Sequence, residues 1–274
     1  MFIISNIIDD VNDEHIIQNM HYAAILKYFE NSAKSGEWNS LYDPRNPSSY
    51  SFIVRLEKAI DLAYSFKNKK VLDLGCGTGV LVPFVINDGG QYVGLDASKE
   101  MLDEIKRIYP AYTNKENVNF IFGDMRNVRL PDNTDIMIGL GFIEYFDNPE
   151  EAIQILYSNL PVDGRLILSF PNSHSMDYMS LLLLAPFRYA VKAVLKKFTY
   201  QPQRKLWNIK NAEMLYTKAG FKNLKVVNYN VNIFAYPFTR MSLSFTNFWA
   251  KRFEYSKLSK CGFFATGFLI SGEK

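Results

Sequence analysis

Residues 71–81 read Val-Leu-Asp-Leu-Gly-Cys-Gly-Thr-Gly-Val-Leu, an apolar run that passes into a turn with glycine at every second position. Such a turn lets backbone amides approach a bound molecule without obstruction by Cβ atoms. Alone it is a weak signal, because nicotinamide and flavin proteins carry similar turns. Two residues narrow it. Asp73, just before the turn, would repel a pyrophosphate but suits an ammonium group, directly or through water. Val80 stands where a Gly-x-Gly-x-x-Gly turn would place its third glycine. A second acid, Asp96, ends the run Gly94-Leu95-Asp96, within reach of paired ribose hydroxyls. A third, Asp124, follows Gly123; its carboxylate can accept from an exocyclic amine while the Met125 amide meets an adenine ring nitrogen. Three acids in succession, with no lysine or arginine poised for phosphate, describe a ligand that has an amine, a ribose and an adenine but no phosphates.

These groups meet only if they sit at neighbouring strand tips. Short apolar runs at 70–74, 91–95, 118–122, 135–140 and 165–170 alternate with helix-like stretches that begin near Gly79, Ser98 and Pro149, the last with Glu150 and Glu151 in its first turn. That alternation predicts a doubly wound parallel α/β sheet, whose ligands bind at the carboxyl ends of the strands. A helix at 211–219 closed by Gly220, a strand at 223–229 and a strand at 263–270 complete the pattern. Residues 1–69 read as a helical cap, with apolar positions at Ile25, Phe29, Phe52, Leu56, Ala59, Ile60 and Ala63 and a turn at 43–47; the main domain then covers 70–274, with insertions at about 172–210 and 231–261.

Residues 70–171 resemble the core of class I, Rossmann-like S-adenosylmethionine-dependent methyltransferases, through VLDLGCGTG, YVGLDASKEML, FIFGDM, IMIGLGFIEYFDNP and GRLILSFPN. The resemblance implies a seven-stranded sheet flanked by helices, its last strand antiparallel, and S-adenosylmethionine as cofactor. It implies that Gly75 and Gly77 lie against the methionine and ribose portions, that Ala97 and Met101 border the adenine, and that Gly139 and Leu140 lie near the sulfonium. Phe142-Ile143-Glu144-Tyr145-Phe146 occupies the place where many relatives carry Leu-Glu-His, so Tyr145 stands where their histidine would be. Tyr145 or Glu144 can orient an acceptor or remove its proton, and either can equally pack or cap a helix. His174, next to the fifth strand, is the other candidate base. The leader carrying Tyr28, Phe29, Trp38 and Tyr42 is similar to that of small-molecule methyltransferases, where it closes over the cofactor; Tyr42 and Arg55 can then meet the methionine carboxylate or serve ordinary core and surface roles. The expected reaction is methyl transfer to an oxygen, less readily a nitrogen, of a small or lipid-like acceptor. Two rivals stand beside it: a catalytically silent cofactor-binding sensor or scaffold, and an RNA or protein methyltransferase. The latter lacks support where Gly139-Leu140-Gly141-Phe142 replaces an Asn-Pro-Pro-Tyr-like motif.

Composition bounds the remaining choices. The chain has 274 residues, 48% of them hydrophobic, with 31 basic and 28 acidic side chains and a net charge of +3, too little to imply nucleic-acid binding. Cys76 and Cys261 make neither a disulfide framework nor a zinc site, no metal constellation is visible, and a cytoplasmic setting suits the thiols. Asp9, Asp10, Asp13 and Glu14 interrupt the apolar start where a signal peptide would continue, and the densest apolar run, 181–187, falls far short of the roughly 20 residues that span a bilayer. Between Tyr178 and Ala212 stand Arg188, Lys192, Lys196, Lys197, Arg204 and Lys205 with no acidic residue. A helix over 187–198 would gather Phe187, Ala190, Val191, Val194, Leu195 and Phe198 on one face and Arg188, Lys192 and Lys196 in a stripe. It would lie peripherally on an anionic membrane, line an acceptor pocket, or pack as a lid. The aromatic run from Phe234 to Phe253 adds a second apolar insertion, and the two together suggest a greasy acceptor pocket. NAD is expected not to displace S-adenosylhomocysteine in competition calorimetry, because Asp73 and the non-dehydrogenase turn disfavour pyrophosphate; comparable affinities for both ligands would overturn the reading of the turn.

Overall fold

The computed structural model describes residues 11–186 and 202–274. Seven strands form one sheet: β1 Lys70–Leu74, β2 Gln91–Asp96, β3 Val118–Phe122, β4 Ile136–Gly139, β5 Arg165–Pro171, β6 Lys222–Val231 and β7 Ala265–Glu273. Their spatial order is β3-β2-β1-β4-β5-β7-β6. The first five pair in parallel, and β7 lies antiparallel to both β5 and β6. This is the Rossmann-like seven-stranded arrangement expected, with the order reversing between β1 and β4.

The helices are α1 Val11–Lys34, α2 Glu37–Ser40, α3 Tyr50–Ala63, α4 Val82–Asn87, α5 Lys99–Ile108, α6 Pro110–Thr113, α7 Pro149–Asn159, α8 Met176–Leu183, α9 Ile209–Ala219, α10 Phe238–Met241 and α11 Leu243–Phe253. Local chemistry places their ends. Ser98 caps α5 by accepting the Met101 amide at 3.2 Å, Asn148 caps α7 by accepting the Glu151 amide at 3.2 Å, and Gly220 in the left-handed region ends α9. The helix expected near Gly79 begins later, at Val82, because Gly75, Gly77 and Gly79 all adopt positive φ and hold the intervening chain as a turn. Strand β6 runs on to Val231, and β7 covers 265–273 rather than 263–270; residues 262–264 form a short 3₁₀ turn instead.

Alternate strand residues feed two cores. Val71 and Ile138 pack with α3, α4 and α5 through Val54, Ala59, Val82, Val85 and Ile105. Leu72, Leu74 and Met137 face α7 and α9 through Ile153, Leu156, Leu215 and Tyr216. The amino-terminal cap is bound to the sheet layer in two ways. Helix α3 buries its apolar stripe in the first core, while α1 and α2 lean on α5, with Lys34 paired to Glu100 at 3.1 Å and Asn39 donating to Glu104 at 2.7 Å. The expected basic helix over 187–198, with Arg188, Lys192 and Lys196, lies outside the described residues. No helix among the described residues is long and apolar enough to cross a membrane.

A buried ion pair joins the cap to the second insertion. Lys58 of α3 donates to Glu254, just past α11, and to the Asn228 carbonyl at 2.6 Å. The other Glu254 oxygen accepts the Val231 amide at 2.8 Å and the Tyr50 hydroxyl at 3.2 Å. Both Glu254 oxygens and the Lys58 ammonium are therefore answered by protein groups, the condition under which a buried pair is tolerated. Glu254→Ala would leave the Lys58 ammonium buried without its counter-charge; we expect a loss of about 3–5 kcal/mol in chemical denaturation. Paired replacement by Lys58→Met and Glu254→Leu should recover much of that loss, and a Glu254→Ala variant of parental stability would contradict the assignment.

Candidate functional site

A cleft opens at the carboxyl ends of β1 to β4, beside the point where strand order reverses. Gly75 and Gly77 form its floor, with φ of 62° and 52°. A Cβ on Gly77 would stand 2.9 Å from the Trp38 indole nitrogen, and one on Gly75 would stand 3.0 Å from the Phe142 ring, so only glycine fits both the backbone conformation and the space. Leu95, Asp96, Ala97, Ser98 and Met101 form the next wall, Gly123, Asp124 and Met125 the third, and Leu140, Gly141 and Phe142 the fourth.

Asp96 holds this arrangement together. One carboxylate oxygen accepts the Gly77 amide at 2.8 Å and the other accepts the Ser98 amide at 2.8 Å. Burial raises its carboxyl to about 6. Asp124 also lines the cleft, but Arg126 forks onto its carboxylate, and the Tyr22 hydroxyl bonds to it as well. An adenine amine would have to share that carboxylate, whereas the neighbouring Met125 is free of such competition.

Other residues singled out from sequence lie outside the lining. Asp73 is buried beneath the turn, where it accepts the Tyr92 hydroxyl at 2.8 Å; burial, opposed by that hydrogen bond, raises its carboxyl to about 7. Gly139 faces the core, since a Cβ there would meet Leu168 at 2.7 Å. Tyr42 packs its ring on Phe52 and accepts from Arg55 at 3.2 Å. His174 is exposed, its ring nitrogen 2.9 Å from the Ser173 hydroxyl, away from the cleft.

The far end of the cleft is aromatic. Tyr145 lines it and meets Phe29 edge to face at 5.4 Å, with Phe142 and Phe146 alongside. Burial and the Glu144 charge hold the Tyr145 phenol well above its usual range, so it keeps its proton at neutral pH. Glu144 and Arg55 are buried directly behind Gly141: a Cβ on that glycine would stand 3.1 Å from an Arg55 nitrogen and 3.6 Å from a Glu144 oxygen. Arg55 Nε and Glu144 Oε2 have no hydrogen-bond partner among the described residues. Burial raises the Glu144 carboxyl, against the pull of Arg55.

Helix α1 supplies a wall that sequence reasoning only half anticipated. Tyr22, Ile25, Leu26 and Phe29 all line the cleft, and Trp38 of α2 joins them. Their i, i+3, i+4, i+7 spacing was the available signal. No described residue of the two insertions lines this cleft, although the Arg204 charge reaches Tyr145 and Glu144 at its aromatic end. Phe238, Phe245 and Phe248 point to solvent instead.

Comparison with known proteins agrees with this geometry. Residues 65–204 match the family described as a methyltransferase domain. The chain is 26% identical over 158 residues to the ubiquinone biosynthesis O-methyltransferase of Neisseria meningitidis serogroup C, covering 56% of this chain and 62% of that protein. To the enzyme of the same description from Aeromonas salmonicida it is 24% identical over 179 residues, 65% of this chain and 73% of that protein. The chain thus spans less than two thirds of the first of these relatives. Magnesium protoporphyrin IX methyltransferase from Synechocystis PCC 6803, solved with bound S-adenosylhomocysteine, shares the fold with a TM-score of 0.61 at 15% identity, over 93% of this chain and 99% of that one. Phosphoethanolamine N-methyltransferase 2 of Haemonchus contortus, solved with S-adenosyl-L-methionine, does so with a TM-score of 0.56 at 14% identity, over 89% and 57%. Fold, glycine turn and matched family model together place the chain in the methyltransferase-domain family, as a class I, Rossmann-like methyltransferase whose cofactor is S-adenosylmethionine.

Proposed function

We propose that this chain transfers the sulfonium methyl of S-adenosylmethionine to an oxygen of a small, aromatic or lipid-like acceptor. The observation that carries the reading is the continuity of one cleft: nucleoside-type polar groups at the ends of β1 to β3 pass without a break into the aromatic end formed by Phe29, Phe142, Tyr145 and Phe146. The relatives described as ubiquinone biosynthesis O-methyltransferases support an oxygen acceptor on a ring.

In this reading Asp96, held in place by the Gly77 and Ser98 amides, takes the ribose hydroxyls through its remaining lone pairs in charge-assisted bonds. Met125 and Met101 border the adenine. The buried Arg55, whose Nη1 lies behind Gly141 and whose Nε has no partner among the described residues, answers the methionine carboxylate. The sulfonium then lies near Leu140 and the aromatic rings, whose π faces favour a cation. Transfer needs an in-line approach in a dry site, and positioning supplies most of the rate. Tyr145 orients the acceptor oxygen with its hydroxyl. Glu144, buried behind Gly141 with its Oε2 unpartnered among the described residues, takes the acceptor proton; burial raises its carboxyl, the direction that makes a carboxylate a stronger base.

Asp96→Ala is expected to weaken S-adenosylhomocysteine binding by about 1.5–3 kcal/mol in calorimetry. The parent's affinity should fall as pH drops below about 6, since protonation of the raised Asp96 carboxyl removes the charge that holds the hydroxyls. An affinity independent of both changes would remove Asp96 from the site. With labelled cofactor and a panel of phenols and quinols, Glu144→Gln should lower kcat about a hundredfold. Tyr145→Phe should lower kcat/KM about threefold to tenfold, the worth of one hydrogen bond. Both variants should bind S-adenosylhomocysteine like the parent; full turnover by Glu144→Gln would assign the proton elsewhere.

A further inference from the structure

Both insertions leave the sheet on the same edge as the cleft. Strands β5 and β6 each run parallel to β1 and β4, as fixed by their shared antiparallel neighbour β7, so the chain that follows either one emerges at the carboxyl-end edge. There the insertions join. The Tyr236 amide donates to the Ser180 hydroxyl at 3.0 Å, and the Thr239 hydroxyl donates to Asp177 at 2.7 Å, tying α8 to the turn before α10.

The joined ledge turns large apolar groups outward. On α8, Met179, Leu182 and Leu183 are 51%, 55% and 81% exposed, at the i, i+3, i+4 spacing of one helix face. On the second insertion Phe238, Phe245 and Phe248 are 62%, 54% and 62% exposed. Phe245 rests on Phe234 and Trp249, and Trp249 stacks on Phe253 at 5.8 Å, so the outward rings stand on an ordered aromatic base. Six large apolar side chains facing water on one ledge exceed the scattered exposure normal for a surface.

Charge identifies what covers them. The described residues of the two insertions, 172–186, 202–210 and 231–261, carry 8 basic residues and 2 acidic ones, whereas the chain outside 172–210 and 231–261 has 19 basic against 26 acidic. Of the two acids, Glu254 is buried against Lys58, and Asp177 offsets a single positive charge. Lys251 and Arg252, in the last turn of α11, are exposed, the Lys251 ammonium lying over the Tyr50 ring at 5.9 Å. A second copy of this chain would bring like charge to like charge. Rings that enter the headgroup boundary, flanked by cations that meet lipid phosphates, fit an anionic bilayer. We propose that the ledge formed by α8, α10 and α11 docks this protein on an anionic lipid bilayer, with the edge of the sheet that carries the cleft turned toward the membrane.

The test is flotation of the full chain with vesicles of phosphatidylglycerol and phosphatidylcholine, against pure phosphatidylcholine, with S-adenosylhomocysteine affinity as the measure of an intact fold. The parent should float with the anionic vesicles. Phe245→Ser with Phe248→Ser should lower the partition coefficient by about tenfold or more. Lys251→Glu with Arg252→Glu should lower it by at least roughly fivefold per residue and abolish most of its salt dependence. Both variants should retain cofactor affinity. Failure of the parent to float, or flotation of both variants like the parent, overturns the proposal. So does a parental dimer in sedimentation velocity that Phe245→Ser with Phe248→Ser dissociates, since the face would then belong to a second copy. Because S-adenosylhomocysteine binding is read separately, loss of the bilayer contact is distinguishable from failure of the methyl-transfer reading.

Discussion

The grip of the Asp96 carboxylate on the Gly77 and Ser98 amides is the constraint on which the cleft depends. It ties the glycine turn after β1 to the start of α5 after β2, so two neighbouring strand tips move as one. The turn itself is pinned from outside as well, by Trp38 over Gly77 and Phe142 over Gly75. A carboxylate satisfied by two backbone amides in a half-buried position is preorganised: its orientation is settled before a ligand arrives, and little ordering remains to be done on binding. The cost of that arrangement shows in the raised carboxyl: burial pushes it up, and the backbone hydrogen bonds bring it only partly back down.

The same economy is visible behind Gly141. Two opposite charges, Arg55 and Glu144, share a dry space with a donor and an acceptor left over. Buried polar groups without partners are rare because each forfeits hydration without return. Their position directly behind a residue of the cleft wall brings the unspent hydrogen-bonding capacity up to the cleft, and Gly141, lacking a side chain, is the thin point of that wall.

Much of this was legible from sequence, for identifiable reasons. The parallel half of the sheet was, because each strand is a short apolar run bounded by strong punctuation such as Ser98 and Asn148-Pro149, and because the acids at 96 and 124 fall at strand tips. The Rossmann-like fold with its antiparallel last strand followed from the motif resemblance. What escaped was tertiary. Asp73 has the right type and spacing to reach a ligand, yet Tyr92 from the adjacent strand claims its carboxylate. Asp124 likewise is answered by Arg126 two residues on, a local pairing that periodicity does not reveal. The aromatics of the second insertion read as pocket lining because apolar residues usually mean interior, whereas Thr246, Ala250 and Glu254 take the buried positions of that segment and the rings between them face out.

Helix α1 walls the cleft but contributes no strand to the sheet; apolar contacts, the Lys34–Glu100 pair and the Tyr22–Asp124 bond hold it in place. Thermodynamic linkage follows from that placement. A ligand enclosed between the strand tips and α1 binds the docked form of the helix and not the undocked one, so occupancy stabilises docking by RT ln(1 + [L]/Kd), about 2.7 kcal/mol at a hundredfold excess over Kd. By reciprocity, whatever loosens α1 weakens the ligand by the same factor. Docking of α1 and occupancy of the cleft are therefore one quantity seen from two ends, and the concentration of a ligand enclosed there sets how firmly α1 is held against the strand tips.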